Sequence, residues 1–126
     1  MTGKTIFERA LSLCGLRGAG ASVPADLADL EARGLDLLNE LIAESTPLNS
    51  RVTGEETVLQ ELTALTDTVS LCGEICAGIA YGLAALLIAE EDPSLYTILD
   101  RKYKEARKAF LADGKANTHA ITEVYG

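Results

Sequence analysis

The chain has 126 residues, 48% of them hydrophobic and 5% aromatic, with no Trp, so it suits a single domain whose core rests on Leu, Ile, Val and Ala. Its net charge of −8 argues against nucleic-acid binding by the whole surface, because attraction to phosphate needs a basic face. The charge is uneven: residues 1–92 hold five Lys/Arg against fifteen Asp/Glu, a net of −10, whereas residues 93–126 hold six against four, a net of +2, an asymmetry that suggests an interaction surface.

The opening segment, MTGKTIFERALSLCG, is charged at Lys4, Glu8 and Arg9 and has no sustained apolar run, unlike a signal peptide. It predicts a first helix over about Lys4 to Cys14. Thr5 and Glu8 would form a capping box, Gly15 would stop the helix, and Ile6, Ala10, Leu13 and Cys14 would be buried. GLRGAGAS then reads as a flexible connection.

A second helix is expected where Ser22 or Val23 precedes Pro24, which suits the first helical turn, with Asp26 and Asp29 complementing the positive end of its dipole. Leu27, Leu30, Gly34, Leu37, Leu38, Leu41 and Ile42 mark one face. Gly34 costs about 1 kcal/mol relative to Ala in a helix interior, and its place on the apolar stripe predicts close approach by another helix. Pro47 is expected to end the element. From Leu48 to Leu71 the Thr- and Val-rich alternation is compatible with short strands, and a connection this long predicts some β pairing.

The third helix is expected over Gly73 to Glu91. Its middle is apolar on every face, so it should be enclosed by protein, yet its uncharged run from Ile75 to Ala89 falls short of the ~20 residues of a membrane span. Gly78 and Gly82, four residues apart, open one face to tight packing. Asp92 and Pro93 suit the N-cap and first position of a fourth helix, giving a tight αα-hairpin. There Leu95, Ile98, Leu99, Tyr103, Ala106 and Phe110 are expected to face the core. Arg101, Lys104 and Lys108 fall mostly on the other side, flanked by Lys102 and Arg107. The predicted fold is therefore mainly α: a small bundle of about four helices over residues 1–113, with a long central connection compatible with a short β-hairpin. A tail, residues 114–126, would follow; its apolar end, Ile121, Val124 and Tyr125, suggests docking on a neighbouring subunit.

Candidate chemistry is sparse. Cys72 and Cys76 are one helical turn apart and, with Cys14 or His119, have zinc-compatible ligand types. Their spacing is not that of a redox or ribbon motif, and burial as small hydrophobes is the better reading. Three cysteines leave one unpaired, which fits a reducing compartment, the cytoplasm. The single histidine, His119, lies in the tail, where nothing implies the rigidity of a triad. GLRGAG lacks the Lys-Ser/Thr ending of a phosphate loop. No enzyme, metal or cofactor is expected.

Read in order, LDLLNELIAE (Leu35 to Glu44), LTALTDTVSL (Leu62 to Leu71), AYGLAALLIAEEDPSLYTILDRKYKEA (Ala80 to Ala106) and the terminal ITEVYG resemble the small head–tail connector, or adaptor, proteins of tailed bacteriophages that stabilise packaged DNA below the portal. The resemblance covers roughly Leu35 to Ala106, and YGLAALL followed by an acidic turn and YKEA is its most specific part. It implies a mostly helical subunit without catalysis, joining a ring at the head–tail junction of the virion after assembly in the host cytoplasm. Its implied partners are further copies of itself, the portal and tail-completion proteins, with DNA as cargo in the channel. On this view the apolar third helix would need neighbouring subunits to enclose it, and Arg101, Lys102, Lys104, Arg107 and Lys108 would form the docking surface. The alternative is a small helical regulatory or adaptor protein that binds one partner.

Overall fold

The computed structural model describes residues 1–15 and 27–125, with side chains described for 1–15 and 28–111. The expected start of the second helix at Ser22 or Val23, Pro24 and Asp26 lies outside the described residues. The fold is mainly α, with helices α1 (Gly3–Leu13), α2 (Leu27–Thr53), α3 (Gly73–Ile88) and α4 (Pro93–Tyr125). Helix α3 is the centre, packed against α1, α2 and α4.

Helix α1 starts one residue earlier than its sequence suggests, and Thr2 rather than Thr5 caps it. The Thr2 hydroxyl accepts from the Thr5 amide at 3.2 Å. Thr5 thus lies inside the helix and cannot head the expected capping box, and the central connection supplies further acceptors: Gly3 N donates to the Asp67 carbonyl at 3.0 Å and Lys4 N to that of Leu65 at 2.6 Å. Two amides that a helix start leaves unpaired are thus satisfied from outside the helix. Ile6, Phe7, Ala10, Leu11 and Cys14 are buried. Leu13 is only half-buried, and Leu11 takes the place on the core face expected for it. Gly15, with φ +73°, follows the helix as expected.

Helix α2 corrects the sequence reading most. Pro47 lies inside it, and the helix continues to Thr53. Proline removes one backbone hydrogen bond and costs about 3 kcal/mol in a helix interior. Here Pro47 and Ala43, the residue whose carbonyl loses its partner, are both exposed, where water is at hand. Beyond it, Leu48 and Asn49, each 4% exposed, anchor the last turns in the interior. The stop signal is Gly54, whose φ of +76° favours glycine.

The connection that follows is no hairpin; among the described residues no strand forms, and the pairing amounts to one isolated antiparallel bridge between Thr2 and Thr68. Side-chain amides take the place of ladder partners. Asn39 accepts from Leu62 N at 2.7 Å and donates to Leu62 O at 3.0 Å. Gln60 accepts from Ser70 N at 2.9 Å and donates to Thr68 O at 2.6 Å. Asn49 accepts from Cys72 N at 2.9 Å. These bonds satisfy backbone groups that would otherwise need a strand, which lets Leu62, Val69 and Leu71 be buried without a sheet.

Helix α3 is enclosed as its composition requires, but by its own chain. Ile75, Cys76, Ile79, Ala80, Leu83, Ala84, Ala85, Leu87 and Ile88 are all buried. The expectation that neighbouring subunits are needed to cover it is thereby corrected: α1, α2 and α4 suffice. The turn from Ala89 to Asp92 leads into α4, where the Asp92 carboxylate accepts from Leu95 N at 3.0 Å, the predicted cap. A Cβ on Gly82 would stand 3.0 Å from the Tyr103 ring, and one on Gly78 3.4 Å from the Ala106 Cβ. The αα-hairpin is therefore tight at Gly82, whereas Gly78, expected to pack as closely, leaves room for a methyl at ordinary contact distance. Helix α4 runs without a break across residues 113 and 114, where the bundle was expected to give way to a tail. The side chains of His119, Ile121, Val124 and Tyr125 lie outside those described.

Candidate functional site

On α4, Leu99 and Tyr103 are buried at 3% and 7% exposure, and Leu95, Ala106 and Phe110 are half-buried. Ile98 is 51% exposed, contrary to expectation. Successive residues turn about 100° around a helix, so with Leu99 at the centre of the buried stripe its neighbour must leave it.

The opposite face carries Arg101, Lys104 and Lys108, all exposed. Glu105 shares that face, but the three cations predominate. The Lys104 ammonium lies 2.9 Å from the Asp100 carboxylate one turn earlier, which raises its pKa. Arg101 and Lys108 have no ion-pair partner among the described residues.

The two flanking cations differ from these three. The ammonium of Lys102, itself exposed, sits 5.6 Å from the centre of the Tyr81 ring, a cation–π distance. Arg107 is half-buried and turned inward: its guanidinium donates to the Tyr103 hydroxyl at 3.3 Å and lies 3.6 Å from the Glu44 carboxylate. Tyr103 in turn donates to Glu44 at 3.1 Å. Burial, with Glu44 beside it, pushes the Tyr103 phenol up, while Arg107 partly offsets this. Arg107 thus ties α4 to α2, and the available basic surface reduces to Arg101, Lys104 and Lys108, with Lys102 at its edge.

Two features escaped the sequence reading. The outer face of α2 presents Asp29, Asp36 and Glu40, all exposed and spaced seven and four residues apart on one helical stripe; exposed Arg33 shares the stripe, its guanidinium donating to the Leu86 carbonyl at 3.3 Å, which leaves the face net acidic. That acidic stripe was legible from the same spacing rule that marks the basic one. In the connection, Val58 and Leu59 are 80% and 65% exposed. No spacing rule finds them, because they stand out only where the connection fails to pair.

The thiols lie apart from both charged faces. Cys14 and Cys76 are buried and free, and Cys72 is only half-buried, so the reading of all three as core residues holds for two. Burial, with Glu91 adding repulsion, pushes the Cys14 thiol up to about 11; its Sγ donates to the Ala84 carbonyl at 3.2 Å. Burial likewise raises Cys76. Among the described residues no three His, Cys, Asp or Glu side chains are grouped to hold a metal ion, and no helix is long and apolar enough to cross a membrane.

Set against known proteins, the chain matches no family model, no curated protein and no solved structure.

Proposed function

We propose that this protein is a structural head–tail connector subunit of a tailed bacteriophage or prophage. It assembles as a ring below the portal, extends the DNA channel and offers a platform to tail components. The observation that carries the reading is the exposed stripe of Arg101, Lys104 and Lys108 on a chain of net charge −8. Such a stripe is a docking face for an acidic protein surface, where it accelerates encounter and fixes orientation. The stripe of Asp29, Asp36 and Glu40 on α2, net acidic with Arg33 among them, suits a channel wall, since its surplus negative charge repels DNA phosphate and lets DNA pass without sticking. The sequence resemblance from Leu35 to Ala106 points to the same class, and no catalytic step belongs to it.

One observation favours a second reading. Helix α3 is covered within one chain, so the subunit is a self-sufficient bundle, as a small helical adaptor that binds one protein partner would also be. Co-sedimentation with a tailed-phage portal protein, followed by electron microscopy, separates the two. Rings capping the portal support the connector. A chain that ignores portal at high concentration leaves the adaptor.

A further inference from the structure

Between α1 and α3 lies a groove of about 340 Å³ lined by Arg9, Ser12, Leu13, Ala77, Ala80 and Tyr81. Its floor is apolar and its rim is cationic: Arg9 is exposed, and the Lys102 ammonium sits over the Tyr81 ring. Ile98, one turn before Lys102 on α4, adds an exposed aliphatic side chain. Among the described residues no carboxylate lines this groove. A larger hollow of about 720 Å³ between α1, α2 and the connection has Lys4 opposed by Glu8 and Glu31 at its edge, and so lacks that bias.

The complementary surface is on the same chain. The segment EETVLQE, residues 55–61, presents Val58 and Leu59 at 80% and 65% exposure, with Glu55, Glu56 and Glu61 exposed around them. This is an apolar knob inside an acidic collar. The segment is held firmly: Thr57 N donates to the Ser50 hydroxyl at 2.9 Å, and the Gln60 amide is bonded to Thr68 and Ser70. A knob held at both ends loses little freedom on docking, which favours association. Its exposure also shows that it does not occupy the groove of its own chain.

We infer that Val58 and Leu59 of one copy insert into the α1–α3 groove of a second copy, with Glu55, Glu56 and Glu61 meeting Arg9 and Lys102. Knob and groove are different surfaces, so the contact is head-to-tail, the kind that closes into a ring when its rotation closes. Burial of the two aliphatic side chains drives it, and the charges set its register. The inference deepens the connector reading and rests on its self-assembly.

The test is sedimentation velocity of the full chain at concentrations up to about 1 mM. It compares wild type, a knob variant (Val58→Asp with Leu59→Asp) and a groove variant (Arg9→Glu with Lys102→Glu). All four positions are exposed, so the fold should survive, and circular dichroism checks that it does. Wild type should form a concentration-dependent series that weakens as salt rises, and each variant alone should stay monomeric. An equimolar mixture of the two variants should give dimers and nothing larger, because it holds one working knob for one working groove per pair. A monomeric wild type at the highest concentration, or a mixture that stays monomeric, overturns the contact. A knob variant that associates like wild type overturns it as well, while leaving ring formation by another surface. Should the contact behave as expected but the oligomer ignore portal, the contact stands and the connector reading fails.

Discussion

Phe7 and Gly34 bring α1 hard against α2: a Cβ on Gly34 would stand 2.6 Å from the Phe7 ring. The absent side chain at Gly34 is what lets the buried ring of Phe7 press against the α2 backbone. Replacing a helix-interior Gly by Ala gains about 1 kcal/mol in propensity, but overpacking a core costs roughly 1–3 kcal/mol. Gly34→Ala should therefore lower the melting temperature on balance. Gly78→Ala meets its nearest neighbour at an ordinary 3.4 Å and should be neutral or stabilising. Thermal melts of the two variants check this, and the pair ranked in reverse would show that α1 is free to shift away from α2.

The basic stripe supplies the second expectation. Arg101→Glu, Lys104→Glu and Lys108→Glu together should leave helix content and melting temperature nearly unchanged, since exposed charges contribute little to folding. The same variant should lose portal docking, and wild-type docking should weaken with salt. Duplex DNA should bind poorly to both forms. Co-sedimentation at low and high salt decides the matter. If the reversed protein still sediments with portal like wild type, the stripe is only a solvated face.

The cysteines should separate by environment. At pH 8 Cys72 should react with a thiol reagent in the native protein. Cys14 and Cys76, buried and with raised pKa values, should react only after denaturation. The thiolate is the reactive form, so native labelling of Cys14 should rise only as pH nears 11. Substituting Cys72 and Cys76 by Ala should leave assembly intact. One equivalent of tightly bound zinc, lost in that double variant, would contradict this account.

Asn39 should matter more than its half-exposed surface position implies. Its amide pairs both backbone groups of Leu62, itself 2% exposed. Asn39→Leu leaves two polar groups without partners, at about 1–3 kcal/mol each. Urea unfolding should show a clear loss of stability, and a loss of only a few tenths of a kcal/mol would mean that water replaces the amide.

Asp67 provides a pH dependence. Its carboxylate accepts from Thr63 N at 2.9 Å, Ala64 N at 3.1 Å and the Thr63 hydroxyl at 3.0 Å, and these bonds hold its pKa below the usual carboxylate range. The folded value is the lower one, so the stabilisation is present above a pH of about 4, the unfolded value, and is lost as pH falls through the folded pKa. Wild type should exceed Asp67→Asn most at neutral pH, and the gap should close in acid. A gap that stays constant down to pH 2 would remove the carboxylate from the explanation.

Local order was written in the sequence where one residue type has one physical consequence. Gly15 after α1, Asp92 and Pro93 opening α4, and the unbroken apolar character of α3 each had a single reading. The spacing of Arg101, Lys104 and Lys108 placed them on one face by helix geometry alone, and Gly34 and Gly82 announced close approaches because a glycine on an apolar stripe has little other use. Tertiary structure decided the cases where two forces compete. Burial of Leu48 and Asn49 outweighed the helix-breaking of Pro47. The amides of Asn39, Asn49 and Gln60 replaced the strand partners that Leu48 to Leu71 was expected to need, because a buried backbone group requires a partner and is indifferent to whether backbone or side chain supplies it. Arg107 was drawn inward by Glu44 and Tyr103, whereas Lys108, one residue on, was left to solvent. A sequence pattern records what each residue prefers, and only the assembled chain sets which preference prevails at each contact.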